Sequence, residues 1–181
     1  MSKWKHIEEY LLDLDGSFRD VIFEHPTWEG VDALVMSLLP SFRVHRATDT
    51  EGGSVDTANV SIAHHARQTG HVHLVLDEGN EFVSHLQVFV SNDSDAAPFV
   101  EMSFHPNDVL PSNNLGNTFV SWVLGVQRLL GATRCRVGYE GFKEKLDPHL
   151  GRYGVFFDSD ELDRCRTQFQ RSGFAPPSEL P

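Results

Sequence analysis

Residues 71–77 read His-Val-His-Leu-Val-Leu-Asp, in which an apolar residue occupies every second position. Successive side chains of a β-strand point to opposite faces, so the apolar and the more polar residues separate. One face holds three apolar side chains, Val72, Leu74 and Leu76. The opposite face holds His71, His73 and Val75. This division is typical of an antiparallel sheet that is covered on one side and open on the other.

More strands are predicted on both sides of this one, at residues 42–48, 57–65, 81–90 and 99–105. A tight turn over residues 78–80 and a longer acidic loop over residues 91–98 separate the later strands. Because sequential strands usually pair, an antiparallel meander is the simplest connection.

The N-terminal region is predicted as a β-hairpin that is followed by a helix. Asp15-Gly16 is a strong turn signal between the apolar runs 10–12 and 21–23. The hairpin therefore spans residues 6–25. A helix with one apolar face then covers residues 28–39.

The C-terminal region adds two helices and a strand. Residues 114–130 are apolar around most of the helical circumference, so this helix is expected to be buried against the sheet. A strand is predicted at residues 133–139 and an amphipathic helix at residues 158–171. Residues 140–157 have no clear assignment.

Together these elements predict an α+β fold of two layers, in which helices pack on one face of an antiparallel β-sheet meander. We expect a single domain over residues 1–181, with a loose C-terminal tail from about residue 174. The sequence leaves the oligomeric state open.

The charge distribution limits the classes of partner. The chain has a net charge of −11, and residues 68–127 contain seven acidic residues and no Lys or Arg. A nucleic-acid-binding protein needs basic side chains to neutralise phosphates, and docking to an anionic membrane needs them as well. Both classes are therefore disfavoured, whereas an acidic surface suits a basic protein partner or simply keeps the chain soluble.

Chemistry on the open face would come from histidines. A turn centred on Gly79 would place His73 opposite His85, so His71, His73 and His85 are expected to cluster. Glu101 would lie one strand further across the sheet. The acidic residues of the two strand ends would flank this group, with Asp77, Glu78 and Glu81 at one end and Asp93 and Asp95 at the other.

Three interpretations of this face stay open. His71, His73 and His85 could bind a first-row metal ion and form the site of a metal-dependent enzyme. The run from His71 to Glu78 also resembles the first half of the cupin motif His-x-His-x4-Glu. The second interpretation is a recognition surface for a protein, and the third is an ordinary polar sheet face.

Other catalytic signals are absent from the sequence. It contains no Gly-x-Ser-x-Gly, no P-loop and no dinucleotide-binding glycine pattern, and no cofactor is expected. Cys135 and Cys165 have no metal or redox spacing and are expected to be ordinary thiols in a reducing cytosol.

The segment Leu14-Asp15-Gly16-Ser17-Phe18-Arg19-Asp20-Val21, followed by an amphipathic helix, resembles the N-terminus of some bacterial immunity proteins. The resemblance is strongest over residues 10–35. The segment itself is interpreted as structural, with a turn at Asp15-Gly16 and with Arg19 paired to Asp13 or Asp20. These proteins are small, cytosolic antidotes to polymorphic or contact-dependent toxins.

The resemblance implies a non-enzymatic, cytoplasmic protein that neutralises a cognate toxin by direct binding. The acidic charge would suit a basic toxin, because opposite charges accelerate association. The sequence-based contact surface comprises Asp77, Glu78, Glu81, Asp93, Asp95, His71, His73, His85, Gln87 and Glu101.

Overall fold

A computed structural model of the chain describes residues 4–79, 82–94, 97–142 and 154–161. The helices are α1 (Lys5–Leu11), α2 (Trp28–Leu38), α3 (Ile62–Thr69) and α4 (Leu115–Leu130). The strands are β1 (Arg19–Glu24), β2 (Arg43–Asp49), β3 (His71–Asp77), β4 (Leu86–Ser94), β5 (Ala97–Phe104), β6 (Arg134–Tyr139) and β7 (Val155–Asp158). Short 3-10 turns follow at Pro106–Asp108 and Ser159–Glu161.

The seven strands form one antiparallel sheet in the order β2-β3-β4-β5-β1-β6-β7. Strands β2 to β5 form the expected meander. Strand β1, from the N-terminal part of the chain, extends the sheet by pairing between β5 and β6. The predicted α+β fold with two layers and an antiparallel sheet is confirmed.

Helices cover the apolar face of the sheet. Val72, Leu74 and Leu76 of β3 are fully buried there, as their alternation predicts. Phe104 of β5 contacts Phe119 of α4 edge to face, with 6.1 Å between the ring centroids. Aromatic contacts of this kind add to the free energy that burial of the rings contributes.

Helix α2 begins and packs as its sequence suggests. The Thr27 side chain accepts a hydrogen bond from the Gly30 backbone N–H at 3.0 Å, which caps the helix. Gly30 lies against the backbone of Leu130 at the end of α4, where a Cβ atom would come within 2.4 Å of the carbonyl oxygen. A glycine at this position therefore permits the close contact between α2 and α4.

The predicted N-terminal hairpin is wrong. Residues 10–12, expected as its first strand, belong mostly to helix α1, where Ile7, Tyr10 and Leu11 are buried at helical spacing. Three apolar residues in a row fit a short strand and a buried helix equally well. The turn at Asp15-Gly16 does form, and Gly16 has a φ of 90°.

Two further strand predictions need correction. Helix α3 occupies much of the predicted strand 57–65, because the Ser61 side chain caps it by accepting a hydrogen bond from His64 N–H at 3.0 Å. The strand predicted at 81–90 is β4, which begins at Leu86 and continues to Ser94. The expected loop 91–98 is therefore mostly strand.

The C-terminal prediction is corrected in part. Asp158 is the last residue of strand β7, and a 3-10 turn over Ser159–Glu161 begins directly after it. Most of the predicted helix 158–171 and the tail from about residue 174 lie outside the described residues. Among the described elements, no helix is long and apolar enough to span a membrane.

Candidate functional site on the open face of the sheet

The open face is defined by one row of side chains that crosses all seven strands. Each member lies directly opposite its neighbours in the antiparallel register, which places directly paired Cβ atoms about 4.5–5.5 Å apart. From β2 to β7 the row contains Thr48, His73, Phe89, Glu101, Ile22, Arg136 and Asp158.

Two aromatic side chains of this row, on β3 and β4, stack on each other. The His73 imidazole stacks on the Phe89 ring, with 4.0 Å between centroids and 11° between planes. His73 Nε2 also lies 3.0 Å from Gln87 Oε1. Burial lowers the pKa of His73, the positive charge of Arg46 acts in the same direction, and the contact with Gln87 opposes both. The environment of His73 therefore favours its neutral form.

Two carboxylates meet near the centre of the row. The Ser103 hydroxyl lies 2.7 Å from Asp20 Oδ1 and 3.3 Å from Glu101 Oε1. Asp20 also accepts a hydrogen bond from Gly141 N–H at 2.9 Å. Burial raises the pKa of Glu101, and the negative charges of Asp20 and Glu140 raise it further. In the described part of the chain, Glu101 makes no ion pair with a basic side chain.

Ion pairs hold the acidic residues at the β2 edge. Arg43 donates to both carboxylate oxygens of Asp77 at 2.9 Å, and its guanidinium lies 2.9 Å from Glu78. These hydrogen bonds hold the pKa of Asp77 below its usual range. Asp77 and Glu78, expected as partner contacts, therefore already have a basic neighbour within the chain.

Arginines of β6 likewise form ion pairs with acidic residues of β7 and β1. Arg134 forms a bidentate ion pair with Asp158. Arg136 lies 2.7 Å from Glu24. Glu101 thus lies between two regions in which acidic and basic side chains neutralise one another.

The predicted histidine cluster does not form as expected. His73 pairs with Phe89 in the register, so the expected pairing with His85 is wrong. His85 Nδ1 lies 2.9 Å from an Asp108 carboxylate oxygen, and His71 Nδ1 lies 3.1 Å from Thr50 Oγ1. The three imidazoles have different neighbours.

The described residues also contain no cluster with the geometry of a metal centre. Within residues 4–79, 82–94, 97–142 and 154–161, no three His, Cys, Asp or Glu side chains are placed to hold a metal ion. Glu81 and Asp95 lie outside these ranges, and Asp93 lies in β4 with its side chain outside the description.

The segment that resembles immunity proteins, residues 14–21, makes buried contacts within the chain. Arg19 is fully buried and forms an ion pair with Asp15 at 3.3 Å, whereas pairing with the carboxylate of Asp13 or Asp20 was expected. Its guanidinium also donates to the Asp13 carbonyl and lies 4.3 Å from the centre of the Tyr139 ring. These contacts tie the turn to β6.

The fold of this chain is similar to that of a protein of known structure. The chain is similar to a solved chain from the complex between the toxic C-terminal tip of CdiA from Pseudomonas aeruginosa and its immune protein. The TM-score is 0.51 at 12% identity, over 80% of this chain and 95% of the other. No family profile and no curated protein matches the sequence. At this identity the likeness concerns the fold alone.

The sequence-based contact list misses several residues of this site, among them Asp20 and Phe89. Phe89 lies opposite both His73 and Glu101 in the register of the sheet. Asp20 has an exposed fraction of 6% and lies on β1, far from β5 in sequence. No local pattern signals that these two strands are neighbours.

Proposed function

We propose that this chain is an immunity-type protein that binds a cognate toxin directly and neutralises it without catalysing a reaction. The observation that carries the proposal is the backbone likeness to a chain from a toxin–immune protein complex. The resemblance of residues 10–35 to immunity proteins supports it independently.

The charge of the chain supports a basic toxin as partner. A net charge of −11 favours fast encounter with a basic protein, since complementary potentials raise association rates. Rapid capture matters to a cell that must block a toxin before the toxin acts. The same proposal places the chain in the cytoplasm, where an incoming toxin would be met.

The open face is the proposed contact surface. It displays partly exposed aromatic and acidic side chains on strands β3 to β5, which contain no Lys or Arg. Protein interfaces combine an apolar centre with polar groups in this way.

Growth assays test the proposal. The toxin domain encoded beside the gene for this chain is expressed in bacteria with and without the chain, and the chain is also expressed alone. We expect growth arrest by the toxin domain, rescue by the chain and normal growth with the chain alone. Absence of rescue would contradict the proposal, and arrest by the chain alone would identify it as a toxin instead.

A binding measurement completes the test. The purified chain and an inactivated toxin domain should form a complex whose association rate falls as ionic strength rises, because salt screens the charges that steer encounter. A rate that is independent of salt would reject the basic partner and leave the acidity as a determinant of solubility.

A further inference from the structure

We propose that the open face binds an arginine side chain of its protein partner between Phe89 and Glu101. We call His73, Phe89 and Glu101 the central strip. The inference rests on the proposed function and assigns a recognition site and its chemistry to the contact surface.

The geometry of the central strip leaves one aromatic face available. His73, Phe89 and Glu101 lie side by side on β3, β4 and β5. The Phe89 ring stacks face to face on His73, with 11° between the planes. Since one face of the ring is turned to β3, its other face is turned to β5, where Glu101 lies directly opposite. A flat group that lies over this part of the sheet can therefore contact the ring and the carboxylate together.

The charges favour a cation as the occupant. Glu101 is partly buried and has no ion pair within the described residues, while Arg43 and Arg134 pair with acids at the two sides of the sheet. The nearby carboxylate of Asp20 makes the position more negative still. A partly desolvated carboxylate with no basic neighbour gains more from an incoming cation than a paired one does.

The combination of an aromatic face and a carboxylate favours arginine over lysine. A guanidinium is planar, stacks on aromatic rings and donates two parallel hydrogen bonds to a carboxylate. A lysine ammonium would satisfy the charge but would neither stack flat on the Phe89 ring nor donate two parallel hydrogen bonds. The strip thus has the chemistry of an arginine recognition site.

Binding of an inactivated toxin domain, encoded beside the gene for this chain, tests the inference by calorimetry. Glu101→Gln should weaken binding about 10- to 100-fold, because it removes a charge-assisted hydrogen bond. Phe89→Leu keeps an apolar side chain but removes the ring, so it should weaken binding about 3- to 10-fold. The matched control is Glu51→Gln, an exposed acid in the loop after β2, which should stay within about two-fold of the unmodified chain.

Folding of the variants is checked by thermal unfolding followed by circular dichroism. Glu101→Gln removes a charge that burial disfavours, so the variant is expected to be at least as stable as the unmodified chain. Loss of binding by a folded variant then reports on recognition. Phe89→Leu provides an independent variant if the amide substitution perturbs the sheet.

A double-mutant cycle tests the identity of the partner residue. Surface arginines of the toxin domain are replaced one at a time by lysine and measured against the unmodified chain and against Glu101→Gln. One arginine should lose affinity against the unmodified chain and little further affinity against the variant, since the two changes remove the same contact. Coupling with no toxin arginine would overturn the inference.

The outcomes separate the two proposals. If the unmodified chain binds the toxin domain and both strip variants bind it equally well, the arginine site is wrong and the immunity function stands. If the unmodified chain does not bind the toxin domain, the immunity function fails and the arginine site fails with it. If Glu51→Gln weakens binding as much as the strip variants do, the losses reflect the overall charge of the chain and the arginine site is rejected.

Discussion

Replacement of Arg19 by methionine provides the sharpest test of what stabilises this fold. Arg19 is fully buried, and its guanidinium donates to the carbonyl oxygens of Tyr10 at 2.7 Å, Ser17 at 3.0 Å and Phe18 at 3.2 Å. It also pairs with Asp15 at 3.3 Å. Methionine keeps the apolar stem of the side chain but removes the guanidinium that donates to these oxygens and to the carboxylate.

The expected cost follows from the burial of the network. Removing one partner of a buried ion pair costs about 3–5 kcal/mol, because the remaining charge stays in a poor environment. For a domain of this size each kcal/mol lowers the midpoint of thermal unfolding by about 2–4 °C. Arg19→Met should therefore lower the midpoint by roughly 6–20 °C.

Urea unfolding followed by circular dichroism measures the free energy of unfolding directly. The matched control is Arg43→Met, whose side chain is 60% exposed and pairs with Asp77 and Glu78 at the edge of the sheet. Because water screens the exposed guanidinium of Arg43, this variant should lose much less stability than Arg19→Met. Equal losses for the two variants, or a loss below about 1 kcal/mol for Arg19→Met, would refute the supporting role of the buried guanidinium.

Three further predictions concern packing, a thiol and pH. Gly30→Ala should lower the free energy of unfolding in urea by about 1–3 kcal/mol, because its Cβ would lie 2.4 Å from the Leu130 carbonyl oxygen. The control Gly125→Ala has open space around it and should raise the free energy of unfolding by about 0.5–1 kcal/mol. Burial raises the pKa of Cys135 to about 12, so a Cys165→Ser variant should not react with a thiol reagent at pH 8 until it is unfolded. Burial raises the pKa of Glu101, so Glu101→Gln should gain thermal stability over the unmodified chain as pH rises above 4.5 and lose that advantage below it.

Sequence patterns predicted the parts of the fold that depend on local order. Alternation in β3 identified the buried face correctly, and the long apolar run correctly predicted helix α4. The errors concern short segments. Residues 10–12 and 57–65 lack the length that distinguishes a strand from a helix, and there caps and packing decided the outcome.

The candidate site was harder to predict because it depends on pairing between distant strands. The contacts between Asp20 and Ser103 exist because β1 lies beside β5, and no local pattern encodes that neighbour. A shift in register also moved His85 away from His73. Side chains along one strand were therefore assigned to the correct face, while their neighbours on other strands were not.

The position of β1 in the sheet has a consequence for how the chain acquires its fold during synthesis. Phe23 of β1 pairs with Cys135 of β6, which is 112 positions later in the chain. At about 5–20 residues per second, a ribosome needs roughly 6–22 s to produce that partner. During this interval the strands of the β2–β5 meander can pair among themselves. The nascent chain therefore carries its first strand with one edge unpaired until β6 has been made.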